Sequence, residues 1–197
     1  RIVDTLHREL VVKNKKGQTI MGDTGVKLMQ KTHQIFSGTV KFEDGTSKVI
    51  DDSKAVFIKE TFKGKKIAIF YKFVEEYNAL RSVFGDAITD SVDVFDTTDT
   101  NIALQIVSGR EGISLKKADH LVYYNIDFSA VSYWQSRDRL TTMDRLDNTV
   151  FWVFAKGGIE QKIYQKVLEK KDYTSSLFVK DYGIESMHIG SKKYRDA

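Results

Sequence analysis

Gln135 and Arg139 stand four residues apart in the run Tyr133-Trp134-Gln135-Ser136-Arg137-Asp138-Arg139. On a helix that spacing puts both on one face. An amide and a guanidinium held side by side can hydrogen-bond a phosphate and stabilise charge developing on it. A plainer reading stays open, a surface arginine paired with Asp138 or Asp144. Two other stretches suit the same chemistry. In Ser108-Gly109-Arg110-Glu111-Gly112-Ile113-Ser114-Leu115, which follows an apolar run, the glycines let backbone N–H groups approach a phosphate. Ser108 adds a donor there and Arg110 a charge. Lys72 and Phe73 follow the apolar run Ile67-Ala68-Ile69-Phe70-Tyr71, where a strand would turn into a helix with free N–H groups for an anion. Taken singly, these loops are equally an ordinary strand–helix turn and a tight connection, with Lys72 and Arg110 as solvated charges.

The elements that position these residues read as an alternation. Ile67–Tyr71, Leu121–Tyr124 and Val150–Phe154 are continuous apolar runs, as in strands buried on both faces, and together with Leu104–Val107 are expected to be the central strands of one parallel sheet. Helices are expected over 74–84, 129–140 and 159–170, the last with Ile159, Ile163 and Val167 on its inner face. Strands alternating with helices argue for an open parallel α/β sheet, whose ligands meet the loops at the strands' carboxyl ends. Residues 1–63 read as a smaller accessory element. In it Asp23 would cap a helix through Ile35 with Val26, Met29, Gln30 and His33 on one face, and Ser37-Gly38 would end it. A strand at Val40–Glu43, a hairpin turn at Asp44-Gly45 and a helix over 51–62 with Ala55, Ile58 and Phe62 inward follow. The expected division is 1–63, 64–180 and a tail at 181–197.

Composition bounds the rest. The chain has 197 residues, 41% of them hydrophobic, enough for a packed core. With 31 Lys and Arg against 27 Asp and Glu, the net charge of +4 permits nucleic-acid contact without demanding it. Cysteine is absent and the four histidines have no metal-ligand spacing, so neither a disulfide nor a metal site is expected. No apolar run approaches the roughly 18–20 residues that span a bilayer, and no secretory segment opens the chain. A cytoplasmic protein is expected, and Arg1 in place of Met suggests a fragment.

The order of these stretches resembles the second RecA-like lobe of superfamily-two helicases, closest to the Swi/Snf-type branch in a phage or bacterial variant. Ile67 to Phe73 is similar to motif IV, Ser108 to Leu115 with Ala118-Asp119 to motif V, and Gln135 to Arg139 to the core of motif VI. Gly157-Gly158-Ile159-Glu160 to Ile163 resembles the stretch after the last strand, before a docking helix. The likeness covers about residues 64–180. It implies a RecA-like lobe that contacts a nucleic-acid backbone, expected to be DNA, through Lys72, Phe73, Ser108, Gly109 and Arg110. It also implies that Glu111, Gly112, Gln135 and Arg139 face ATP, with Arg139 and Gln135 acting on the γ-phosphate. The family's second arginine of motif VI falls here at Thr142, leaving Arg145 or Arg137 as the substitute. No glycine-rich loop ending in Gly-Lys-Ser/Thr occurs, so ATP and Mg2+ would be bound mainly by a first lobe of the same protein, and this chain alone would be inactive. A non-catalytic DNA-binding or interaction module on the same fold is the alternative.

Overall fold

A computed structural model of the chain describes residues 2–106, 115–134 and 149–184. Its centre is a five-stranded, all-parallel sheet built from β5 (Ile67–Tyr71), β6 (Ile88–Thr89), β7 (Asn101–Gln105), β8 (His120–Tyr123) and β9 (Val150–Trp152), in the order β6-β7-β5-β8-β9. Successive side chains leave a strand on opposite faces, and both faces are covered. Ile67 and Ile69 of β5 with Val122 and Tyr124 pack under α3 (Ser53–Thr61) and α4 (Val74–Phe84), through Ala55, Ile58, Ala79 and Leu80. Ala68 of β5 with Leu121 and Tyr123 of β8 face Phe95 of α5 (Val92–Thr97) and Leu115. This is the expected open parallel sheet flanked by helices.

Four strands fall where the apolar runs predict, with two differences. Val150–Trp152 is an edge strand rather than a central one, paired with β8 alone among the described residues, and its side chains are half-buried. The strand expected at Leu104–Val107 is displaced toward the N-terminus, to Asn101–Gln105. It begins at Asn101, whose side-chain carbonyl accepts from the backbone N–H of Ile67 at 2.9 Å, so a polar residue opens the strand by bonding its neighbour. Val107 lies outside the described residues.

Residues before 64 form α1 (Ile2–Glu9), a hairpin of β1 (Val11–Lys13) and β2 (Thr19–Met21), α2 (Gly25–Phe36), a second hairpin of β3 (Thr39–Lys41) and β4 (Ser47–Val49), and α3. The cap of α2 is Thr24, whose Oγ1 accepts from Lys27 N at 3.2 Å, and not Asp23, which pairs with the Lys27 ammonium at 2.9 Å. The helix therefore buries Leu28, Met29, Thr32 and His33, whereas Val26 and Gln30 of the expected face are exposed. Ser37-Gly38 ends α2 as expected. Gly38 has φ +84°, and a Cβ there would sit 2.0 Å from the carbonyl oxygen of Asp51, so the turn requires glycine.

Helix α2 packs on α7 (Ile159–Leu168) and α8 (Ser175–Tyr182). One core joins Leu6, Leu28, Met29, Val40 and Phe42 of the N-terminal part to Ile159, Ile163 and Val167 of α7 and Phe178 of α8. Residues 130–134 are helical and are labelled α6. No helix among the described residues is long and apolar enough to cross a membrane.

Candidate functional site

After β5 the chain turns to β6 and β7 on one side of the sheet, and after β8 it turns to β9 on the other. The sequence order therefore switches direction between β5 and β8, and open sheets of this kind bind ligands beyond the carboxyl ends of such a strand pair. Lys72 and Phe73 follow β5 there, and Asn125 and Asp127 follow β8.

The loop after β5 is fixed from inside. Glu76, at the third position of α4 and fully buried, turns its carboxylate back so that Oε2 accepts from the backbone N–H groups of Lys72 at 2.7 Å and Phe73 at 3.0 Å. This is the glutamate half of a capping box, since Phe73 has no side-chain acceptor. Asn125 donates from Nδ2 to Oε1 of the same carboxylate. Its Oδ1 accepts from Ile126 N at 2.8 Å and also contacts Nε2 of His33, which reaches in from α2. The amide is thereby oriented. Oδ1 is an acceptor, so His33 Nε2 carries the hydrogen and donates. The buried Nδ1 lacks a partner among the described residues, so a second proton there would find no acceptor, which favours the neutral ring.

Electrostatics agree with that protonation state. Burial holds the His33 imidazole well below its ordinary pKa, and the Lys72 and Lys54 ammonium groups push it the same way. Burial raises the Glu76 carboxyl above the usual glutamate value, against the pull of Lys54 and the N–H groups it accepts from. Lys54 on α3 is a second anchor. Its ammonium lies 2.9 Å from Oε1 of Glu160 on α7 and donates to the carbonyl of Tyr124 at 3.0 Å. Gly158 precedes α7, and a Cβ there would meet Oε2 of Glu160 at 2.3 Å and the Ala155 carbonyl oxygen at 2.9 Å. The glycine makes room for the buried carboxylate.

At the mouth of the crevice the Lys72 ammonium lies 2.9 Å from Oδ2 of Asp127, with both side chains 15% exposed. It also sits over the rings of Phe128 at 5.2 Å and Phe73 at 5.8 Å. Phe73 packs edge-on against His33, with centroids 5.2 Å apart. Oδ1 of Asp127 accepts from Ser129 N at 3.0 Å, Ser129 Oγ from Ser132 N at 3.2 Å, and Oδ1 of Asp172 from Ala130 N at 2.8 Å. Three acceptors thus hold the first turn of α6 at the helix's positive end. Gln105, the last residue of β7, donates to the carbonyl of Lys72 at 3.0 Å.

Of the site residues expected from the sequence, Lys72 and Phe73 stand at this edge, the first ion-paired and the second half-buried. Ser108, Gly109, Arg110, Glu111, Gly112, Gln135, Arg139 and Arg145, and Arg137 with them, lie outside the described residues. Sequence reasoning missed Glu76, Asn125, Asp127, His33, Lys54 and Glu160. Asn125-Ile-Asp127, polar residues directly after a buried strand, carried the signal for two of them. Among the described residues, no group of three or more His, Cys, Asp or Glu is placed to hold a metal ion.

No protein-family model matches the chain. It is 27% identical over 132 residues, 64% of its length, to the chromatin-remodeling ATPase INO80 of two strains of Cryptococcus neoformans var. neoformans serotype D. The chain spans only 7% and 6% of those relatives. Among solved structures, it is similar to the C-terminal part of the Fun30 ATPase domain, with a TM-score of 0.46, 19% identity and coverage of 72% of this chain and 53% of that one. It is also similar to the Sulfolobus solfataricus SWI2/SNF2 ATPase core in complex with dsDNA, with a TM-score of 0.48, 18% identity and coverage of 82% and 39%. The two curated relatives are described as chromatin-remodeling ATPases.

Proposed function

We propose that the chain is the second, C-terminal RecA-like lobe of an ATP-dependent DNA helicase or translocase of the Swi/Snf type. In that role residues 64–180 form the lobe, 1–63 an accessory element and 181–197 a tail. One observation carries the reading: the crevice where the sheet reverses direction is flanked by the loop resembling motif IV and by the start of the helix that leads into motif VI. Lys72 and Phe73 stand on one side of it, and residue 134 of α6 is followed directly by Gln135 on the other. The sequence likeness to a chromatin-remodeling ATPase supports the same reading.

In this reading a preceding lobe binds ATP and Mg2+, which supplies the phosphoryl group to be transferred and the cation that neutralises it. The described carboxylates form no site for that cation, so none of the described residues is assigned a role with Mg2+. Its own residues supply charge and position. Lys72, Phe73, Ser108, Gly109 and Arg110 contact the phosphates of a DNA strand, independent of sequence and sensitive to salt. Glu111, Gly112, Gln135 and Arg139 face the nucleotide across the cleft between lobes, with Arg145 nearby. Arg139 is the arginine finger, a role worth roughly 10³–10⁵ in rate in other phosphoryl-transfer enzymes.

The test is hydrolysis by the chain alone. It is expected to show no ATP turnover above background, with or without DNA, because closure between two lobes completes such a site. DNA-stimulated turnover of about one per second by this chain by itself would overturn the two-lobe reading.

A further inference from the structure

We infer that Asp127 is a positioning residue that competes with nucleic-acid phosphate for Lys72 and links the outcome to the first turn of α6. The inference rests on the proposal that Lys72 contacts phosphate. The carboxylate of Asp127 is divided between two partners: Oδ2 lies 2.9 Å from the Lys72 ammonium, and Oδ1 accepts from Ser129 N at 3.0 Å. Both side chains of the ion pair are mostly buried, which makes their attraction stronger than that of a solvated surface pair. A phosphate arriving at Lys72 must therefore displace or share Asp127. Once Lys72 turns to the phosphate, the positive end of α6 is the remaining partner of the carboxylate. In sequence the described part of that helix is followed by Gln135 and Arg139, so one side chain stands between the nucleic-acid contact and the segment that resembles motif VI.

The geometry gives the sign of the test. Removing the carboxylate charge frees Lys72, so binding should tighten. Asp127→Asn is suitable because its Oδ1 still accepts from Ser129 N, and Asp127→Ser keeps a short acceptor if the first variant folds poorly. Asp172→Asn is the control, since Asp172 also holds the first turn of α6, through Ala130 N, and changes net charge equally.

The experiment titrates a labelled oligodeoxythymidine into the 197-residue chain at several salt concentrations, with unfolding curves for each variant. Asp127→Asn is expected to bind about fivefold tighter at low salt, with the slope of log K against log salt steeper by up to about 0.7, the single-strand value for one freed phosphate contact. The gain should exceed that of Asp172→Asn and should vanish when Lys72→Ala is added. If Lys72→Ala weakens binding but neither Asp127 variant tightens it beyond the Asp172 control, the inference falls while phosphate contact by Lys72 stands. If Lys72→Ala leaves affinity and salt slope unchanged, the assignment of Lys72 fails, and the inference with it.

Discussion

His33 on α2 donates from Nε2 to Oδ1 of Asn125, just beyond β8, and Asn125 donates in turn to the buried carboxylate of Glu76 on α4. One chain of hydrogen bonds therefore ties the N-terminal part of the molecule to both strand ends that flank the crevice. Glu76 completes it by accepting from the N–H groups of Lys72 and Phe73. The backbone carrying the candidate phosphate contacts is thus set by three side chains that would touch no ligand.

This network makes stability depend on pH. His33 has a depressed pKa in the folded chain, against 6.5 for the free group. Below 6.5 the unfolded chain binds a proton that the folded chain refuses, so the His33 contribution is present above 6.5 and is lost as pH falls toward the depressed value. The slope approaches about 1.4 kcal/mol per pH unit. His7, also lowered by burial, acts in the same direction. Glu76 has the opposite sign. Its raised pKa gives stability that is fully present below 4.5 and is lost as pH rises through the folded value. Urea midpoints should fall between pH 6.5 and 5.5, and His33→Gln, which keeps a donor, should flatten that fall. Midpoints that do not change over this interval in the unmodified chain would show that His33 is not held neutral.

Lys54 and Glu160 join α3 to α7 with side chains 8% and 0% exposed. Breaking a buried pair leaves an uncompensated charge, so Lys54→Met should cost about 3–5 kcal/mol in urea unfolding. Adding Glu160→Gln removes the stranded charge and should restore most of that loss. A single variant within about 0.5 kcal/mol of the parent, or a double variant no better than the single, would contradict an energetic role for the pair.

The fold was legible where side-chain pattern alone decides it. Ile67–Tyr71 reads as a strand buried on both faces because all of its residues are apolar, and Ile159, Ile163 and Val167 repeat with the period of a helix. Ile88–Thr89 was not legible, because two residues give no period to detect. Nor was α5, a single six-residue helix whose one buried side chain is Phe95. In the site, Lys72 was legible as a cation at a strand's end, but its partner was not. Asp127 lies 55 residues away, and only the pairing of β5 with β8 brings the two together. By its spacing, buried His33 belongs only to one face of α2. Its actual partner, Asn125, is 92 residues on, and no local spacing announces such a contact.

The central claim is that Arg139 delivers charge to a transferring phosphoryl group. The direct measurement is the DNA-stimulated ATP hydrolysis rate of the protein in which this segment follows a phosphate-binding lobe, compared with its Arg139→Ala variant. The account predicts a loss on the order of 10³-fold with DNA affinity nearly unchanged. Arg139→Lys should fail similarly, because an ammonium lacks the planar fork. Arg145→Ala should match that loss if Arg145 fills the place left by Thr142. Near-normal hydrolysis by Arg139→Ala would contradict the account.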